Sequence, residues 1–478
     1  MQYLFSLYAI LLCTVLPLYM KSGYYNLGEA KAKCYFALSI PFFIIFLTGY
    51  VYEYVKNKRK EQCKNSEKLT TAQYFFYGTL VSCLITYMFS IDKKTAFWGY
   101  EGWRTGLFST IMSLAFCFFF RKWKRQGKLI FYIVMIIPFL EFILSILNRF
   151  GNYPFAIEGK NPSFLATLGN IGWFSGYLSI WVPVGIGIMY IQKEFSMNFF
   201  ISGGYTIAGL IALLIQGSNG AALIIMSSYL LLLWCSLSDR EAIKRFLIQL
   251  LILGISMTIV DILLLFFHKK YNYENNILIG LCEKHVGLVL IAVAFFAYSL
   301  LRLFEEINVE YSEKLTKRIY SIGMISGAAT AIFFLLNNFS DSFGNGRGLI
   351  LRLSARVFEG FSGWQRFVGI GQDCLYVYAL ENEELKGLFI DAFGGSALTN
   401  SHCELFTILI ERGILGAFLY LGLFISILIK LIKARKRESA AIIYALPIIS
   451  YFVYNQVSFA QLTSTPYIYL IIGMAMTI

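Results

Sequence analysis

Apolar runs of about the ~20 residues that cross a bilayer recur from one end of the chain to the other, parted by polar stretches. Read as membrane spans they fall at about 2–19, 35–54, 69–91, 105–120, 129–148, 164–191, 198–215, 220–237, 246–267, 284–304, 318–336, 405–432, 440–455 and 466–478. Repeated segments of this length satisfy their backbone polar groups internally only as helices, so the pattern predicts an all-α polytopic transmembrane bundle of about 12 to 14 crossings. One gap stands out, from 337 to 401. It divides the chain into transmembrane helices over 1–336, a large loop over 337–401 and C-terminal transmembrane helices over 402–478. The first run, Gln2 to Tyr19, has neither a basic front nor a small-x-small exit, and reads as a span, not a cleavable signal.

Composition agrees with the pattern. Of 478 residues, 58% are hydrophobic and 14% charged, where a soluble domain carries about 25% charged residues, and the mean hydropathy is +0.63. The net charge of +13 resides mainly in one set of alternate loops: KNKRKEQCKNSEK (56–68), RKWKRQGK (121–128), Lys193, DREAIKR (239–245), EKLTKR (313–318) and KARKR (433–437). By the positive-inside rule this set and both termini face the cytoplasm, and the excess of base needs no nucleic acid to account for it. The loop 337–401 then lies on the outer side, where Arg347, Arg352, Arg356, Arg366 and Lys386 oppose the usual bias. Long ordered loops are disproportionately where sites lie. It has no counterpart in the first half of the chain, which argues against an inverted-repeat transporter.

Nine cysteines show no paired metal spacing, so zinc and iron–sulfur sites are not expected. Cys374 and Cys403 both fall on the outer side, where a disulfide between them is one option. Neither a phosphate-binding G-x-x-x-x-G-K-[ST] loop nor H-E-x-x-H is present. Glu381 and Glu383 read as a solvated turn in preference to a divalent-cation site.

Candidate chemistry gathers on the outer side. Ser401-His402-Cys403-Glu404 has the form of a capping box, with Ser401 as N-cap and Glu404 reaching back. His402 would then sit in the first helical turn, where the dipole disfavours its protonated form and leaves a neutral imidazole to act as general base; the plain alternative is a histidine at the membrane interface. In GNGRGLILRLSARVFEGF (344–361), Arg347 has a glycine frame, while Arg352 and Arg356 share a helical face. Guanidinium forks suit phosphate oxygens, although Arg352 and Arg356 equally suit lipid headgroups. Arg104 lies among aromatics in KKTAFWGYEGWRTGL (93–107). Glu141 and Asp261 fall inside spans and are expected to pair with outer-side arginines. His268 and His285, at the edges of another outer loop, are read without a role.

Arginine and histidine on one face, with no metal signature, suit transfer from a lipid-linked diphosphate, which needs its charge held and an acceptor hydroxyl deprotonated. At this point the chain resembles the O-antigen ligase and O-antigen polymerase superfamily of bacterial envelope glycosyltransferases. The resemblance runs in order over 90–425, through FWGYEGWRTGL, NPSFLATLGNIGWFSGYLSIWVPV (Gly169, Asn170, Gly176, Pro183), SNGAAL, GNGRGLILRLSARVFEGFSGWQRFVGIGQD (Gly369, Gly371) and SHCELFTILIERGILGAFLY (Gly413, Gly416). It implies a glycosyltransferase of the cytoplasmic (inner) membrane of a bacterium, working on the outer face without metal or cofactor. The implied partners are an undecaprenyl-diphosphate-linked glycan donor, a glycan or lipid-glycan acceptor and membrane lipids. Carried over by position, Arg347 binds the diphosphate and His402 acts at the acceptor hydroxyl or steadies the departing charge. Arg104, Arg352, Arg356, Asn219, Asn170 and Glu404 occupy substrate-binding places. Two residues depart from the pattern: Asn219 stands where many members have arginine after Ser218, leaving Arg104, Arg352 or Arg149 to replace it, and Cys403 stands where asparagine is usual. The alternative from another class is a flippase for lipid-linked oligosaccharide, and a catalytically inert scaffold of the same fold is a third reading.

Overall fold

The structure is a computed structural model, and it describes residues 1–59, 69–123, 128–274, 276–394 and 396–478. Among the described residues twenty α-helices follow one another: α1 (Gln2–Leu18), α2 (Leu27–Arg59), α3 (Thr71–Met88), α4 (Lys93–Trp98), α5 (Leu107–Phe120), α6 (Lys128–Arg149), α7 (Ile171–Ile191), α8 (Met197–Ile215), α9 (Ala221–Ser236), α10 (Arg240–Phe267), α11 (Ile277–Glu283), α12 (Val286–Glu306), α13 (Glu313–Asn338), α14 (Phe343–Glu359), α15 (Gly363–Val368), α16 (Leu375–Glu381), α17 (Glu383–Phe393), α18 (Glu404–Ala434), α19 (Ala441–Tyr454) and α20 (Thr465–Ala475). Each apolar window read from the sequence holds one of these helices. Among the described residues, eight helices are long and apolar enough to cross a membrane, and α1, α5, α9, α19 and α20 are shorter apolar helices. The chain is an all-α polytopic bundle and a multi-pass membrane protein. Only the window 164–191 starts differently: Phe164–Leu165 and Gly169–Asn170 form a two-stranded hairpin, β1 and β2, before α7 begins.

Local chemistry sets the helix starts. Thr70 and Gln73 form a capping box at α3, and the side chains of Asn170, Ser196 and Asp239 accept backbone N–H groups at the starts of α7, α8 and α10. Prolines 17, 41, 138, 183 and 447 lie inside helices, where neighbouring helices of a membrane bundle tolerate them. Burial orders the bundle from inside out. Helix α7 is its centre, 94% of its apolar window being enclosed, whereas α12 and α13 lie at the periphery with 11% and 0% enclosed.

Contacts between loops tie neighbouring elements together. Among the basic segments, Lys122 meets Glu53 at 3.0 Å, Lys244 meets Glu305 at 2.7 Å and Lys436 meets Glu313 at 3.5 Å. Parts of the two most basic loops, 60–68 and 124–127, lie outside the described residues. On the loop-rich face, Tyr24 Oη donates to the Ala166 carbonyl, Arg104 meets Glu29, and Ile277 N–H donates to Asn219 Oδ1.

The charges inside the spans find partners other than the expected arginines. Glu141 accepts from Thr167 N–H at 3.1 Å and from the Thr167 hydroxyl, beside the buried Lys31 ammonium, which donates to the Leu16 and Pro17 carbonyls. The end of α1 leaves those carbonyls without helical partners, so the nearest cation is a lysine anchored there. Asp261 pairs with His285 Nδ1 at 2.6 Å, which gives His285 a structural role that the sequence reading did not assign.

The region 337–401 is an ordered helical layer. Helices α14 to α17 bury their own apolar cluster, Leu353, Val357, Phe361, Leu375 and Phe389 among it, against Ala96 and Ile410 of the bundle. One backbone junction seats this layer. Helix α18 breaks at Gly413 (φ 66°, ψ −172°), and the carbonyls of Ile410 and Glu411 accept from Ile370 N–H at 3.3 Å and Gly371 N–H at 3.1 Å. The fit is backbone on backbone: a Cβ at Gly369 would lie 2.0 Å from the Glu411 oxygen, and one at Gly413 2.2 Å from the Phe367 oxygen. Thr86 Oγ1 and Ile91 N–H hold the same turn from the α3 side.

Gly369→Ala and Gly413→Ala are each expected to lower stability, by about 1–3 kcal/mol from backbone strain alone and further from overlap. Thermal unfolding of the purified protein in detergent checks this, with Gly387→Ala as control, since a Cβ there meets nothing within 4 Å.

Candidate functional site

His402 lies on the loop-rich face, between the helical layer and α18. Its φ of 50° is left-handed, and its N–H donates to Asn400 Oδ1 at 3.1 Å. The capping box does not form. Helix α18 starts at Glu404 with Cys403 as N-cap and no side-chain cap; Ser401 N–H donates to Thr407 Oγ1 at 3.0 Å, and Glu404 Oε2 accepts from Ala460 N–H at 2.5 Å. Glu404 is thus drawn across to the segment between α19 and α20, and Ser401 is left three residues short of the helix. His402 therefore precedes the first turn. Its ring is neutral for a different reason: burial pushes its pKa down to about 4, and the Arg347 guanidinium pushes the same way.

Arg347 follows a left-handed run, Gly344, Asn345 and Gly346 at φ 60°, 64° and 84°. Its Nη1 donates to the Gly344 carbonyl at 3.0 Å, its Nε is buried without a hydrogen-bond partner, and no carboxylate among the described residues pairs with it. The left-handed loop frames the arginine while leaving its charge unspent. A guanidinium of this kind, within electrostatic reach of a neutral imidazole and of Tyr454, is an arrangement that accepts an anion.

An aromatic row continues from the histidine. The His402 ring meets Phe459 edge-on at 5.1 Å, Phe459 meets Trp103 at 5.1 Å, and Trp103 meets Trp173 at the start of α7 at 5.6 Å.

The other arginines are committed elsewhere. Arg104 forms a fork on Glu29 with contacts of 2.8 and 3.0 Å. Arg352 pairs with Asp341 at 2.6 Å and Arg356 faces Glu384 at 3.7 Å, all four exposed. Arg149 is fully buried, donating to the Ile215, Gln216 and Pro162 carbonyls and stacking on Tyr273. It ties loops together and offers no free fork. Asn170 caps α7 through Gly172 N–H, and Asn219, exposed, receives Ile277 N–H. The structure thus leaves Arg347 within electrostatic reach of His402, places Glu404 in the wall of a cavity, and gives Arg104, Arg352, Arg356, Asn170 and Asn219 other contacts. Cys374 and Cys403 are free thiols: Cys374 donates to the Asp92 carbonyl at 3.7 Å and Cys403 to Gln456 Oε1 at 3.8 Å, so the disulfide option is not realised.

The sequence reading missed Asp373, Glu411 and Arg412. They line, with Glu404 and Trp103, a polar cavity of about 60 Å³ between α5, α18 and α20. Glu411 Oε1 accepts from Asp373 N–H at 2.7 Å, and Asp373 Oδ2 accepts from Tyr100 N–H at 2.7 Å and Thr105 Oγ1 at 3.0 Å. Burial pushes the Asp373 pKa up to about 6. A signal was available, since Glu411-Arg412 is a charged pair inside an apolar run.

No protein-family model matches the chain, and no curated protein matches it.

In an NMR titration of the imidazole resonances, His402 is expected to titrate near 4. Arg347→Ala should raise that value, because one of its two causes is removed, while leaving it below the ordinary histidine range, because burial remains.

Proposed function

We propose that this protein is a metal-independent glycosyltransferase of the O-antigen ligase or polymerase type, moving a glycan from undecaprenyl diphosphate to an acceptor hydroxyl on the outer face of a bacterial cytoplasmic membrane. One observation supports the reading: the Arg347 guanidinium, unpaired among the described residues, lies within electrostatic reach of the neutral His402 imidazole, 55 positions away in the sequence. In this mechanism Arg347 holds the donor diphosphate and offsets the charge that grows on it as the sugar–phosphate bond breaks. The His402 ring takes the proton of the acceptor hydroxyl as the new glycosidic bond forms. Positioning contributes the rest, because the diphosphate leaves with its charge already spread over its oxygens.

Asn219, where an arginine is usual in the resembled family, accepts a backbone N–H from the start of α11. In this reading the donor is held by one arginine fork at Arg347. A carrier would need a cationic cavity within the membrane; the larger cavity, of about 370 Å³, is lined by apolar residues such as Trp123, Ile188 and Leu470, with no lysine or arginine among the described residues.

The test is turnover of a synthetic polyprenyl-diphosphate glycan by purified protein in vesicles. His402→Ala is expected to slow transfer about 10²–10⁴-fold and Arg347→Ala by about 10²–10³-fold, with both variants still inserted and folded. Undiminished transfer by both would overturn the assignment, and translocation of the donor without a new glycosidic bond would establish the carrier instead.

A further inference from the structure

Arg412 has no hydrogen bond and no ion pair among the described residues, although only 8% of it is exposed, and its Nε is fully enclosed. An unsatisfied buried guanidinium is costly. It faces the polar cavity whose other inner groups are the Glu404, Glu411 and Asp373 carboxylates and the serine and threonine hydroxyls of α5. Trp103 and Phe459, which meet at 5.1 Å, add flat aromatic faces to the lining of this cavity, and the Phe459 ring also meets His402 edge-on.

These features select a ligand class. Three carboxyl groups around one guanidinium leave the cavity without the unopposed positive charge that an anion needs, so it does not duplicate the anion site at Arg347. Among the described residues no group of three or more His, Cys, Asp or Glu is placed to hold a metal ion. Acceptors, one strong donor, hydroxyls and flat aromatic faces in one lining suit a neutral polyhydroxyl ring: hydroxyls enter the cavity while the apolar ring face stays against Trp103 or Phe459. The size agrees. A volume of about 60 Å³ holds roughly four waters, about the room that the hydroxyl edge of one pyranose takes when the ring remains against an aromatic face.

We infer that the cavity lined by Trp103 and Phe459 is a sugar-binding subsite, in which Arg412 and Glu404 engage the hydroxyls of a neutral hexopyranose and present its chain to His402. The inference rests on the glycosyltransferase reading only for the identity of that sugar as part of a substrate glycan; the binding chemistry stands apart from it.

The full chain in detergent micelles is titrated with methyl β-D-glucopyranoside, methyl β-D-galactopyranoside, methyl α-D-mannopyranoside and N-acetylglucosamine, read by saturation-transfer NMR and by tryptophan emission. At least one of the four should bind. Arg412→Met should weaken it at least roughly tenfold, as loss of hydrogen bonds to a charged group does. Thr110→Leu fills the cavity without altering a charge and should do the same, which covers the case in which Arg412→Met does not fold. Binding of none of the four at tens of millimolar, or binding unchanged in Thr110→Leu, overturns the inference. Farnesyl diphosphate binding, measured in parallel, separates the two readings: diphosphate binding without glycoside binding removes the subsite alone, and glycoside binding without diphosphate binding removes the donor assignment and leaves the subsite.

Discussion

The seating of the Gly369–Gly371 turn on the break in α18 is the contact on which the loop-rich face depends. A membrane helix that stops at Gly413 leaves carbonyls that the bilayer cannot satisfy, and the layer α14 to α17 satisfies two of them with its own N–H groups. Glycine is required on both sides because the backbones touch. From this junction the positions of the functional groups follow. Asp373 comes next to Glu411 and pulls the 99–105 segment inward through Tyr100 and Thr105, which sets Trp103 in the lining of the polar cavity. In the same layer, α14 carries Arg347, whose charge acts on His402.

Electrostatics divides the face into two compartments. Arg347 is a cation without an anion, beside an imidazole kept neutral by burial and by that same cation. The cavity a short way off is rich in carboxylate, with Arg412 as its one guanidinium. In the proposed reaction this difference in charge would sort an anionic head from a neutral glycan, as the two halves of one donor or the two reactants of one transfer. The remaining arginines follow the opposite logic. Arg104 meets a carboxylate, Arg149 three carbonyls and an aromatic face, and these contacts hold loops in place.

Much of the architecture was legible in the chain because its signals are local. Apolar length marks a helix wherever it falls, so the helices are recovered with one exception, the hairpin before α7. Partners across the bundle were not legible. Glu141 goes to Lys31 and not to an arginine because the end of α1 leaves carbonyls that anchor the lysine, a fact of packing. The motif at 401–404 misled for a related reason: the spacing of a capping box is local, but Glu404 is claimed from a distance by the Ala460 N–H. Glu411 and Arg412 escaped because an intramembrane charge pair has the same spelling whether it salts a kink or lines a cavity. Arg347 and His402 stand out in the sequence one at a time; that the guanidinium comes within electrostatic reach of the imidazole is a matter of packing, which no spacing along the chain encodes.

The central claim is that Arg347 and His402 form one site for an anionic lipid head. Because the arginine helps to hold the imidazole pKa down, an anion bound to that guanidinium must relieve the field and let the pKa rise. The decisive measurement is the His402 titration by NMR with and without farnesyl diphosphate. The account predicts an upward shift on binding, absent in Arg347→Ala. Diphosphate that binds while the His402 titration stays where it was would contradict it.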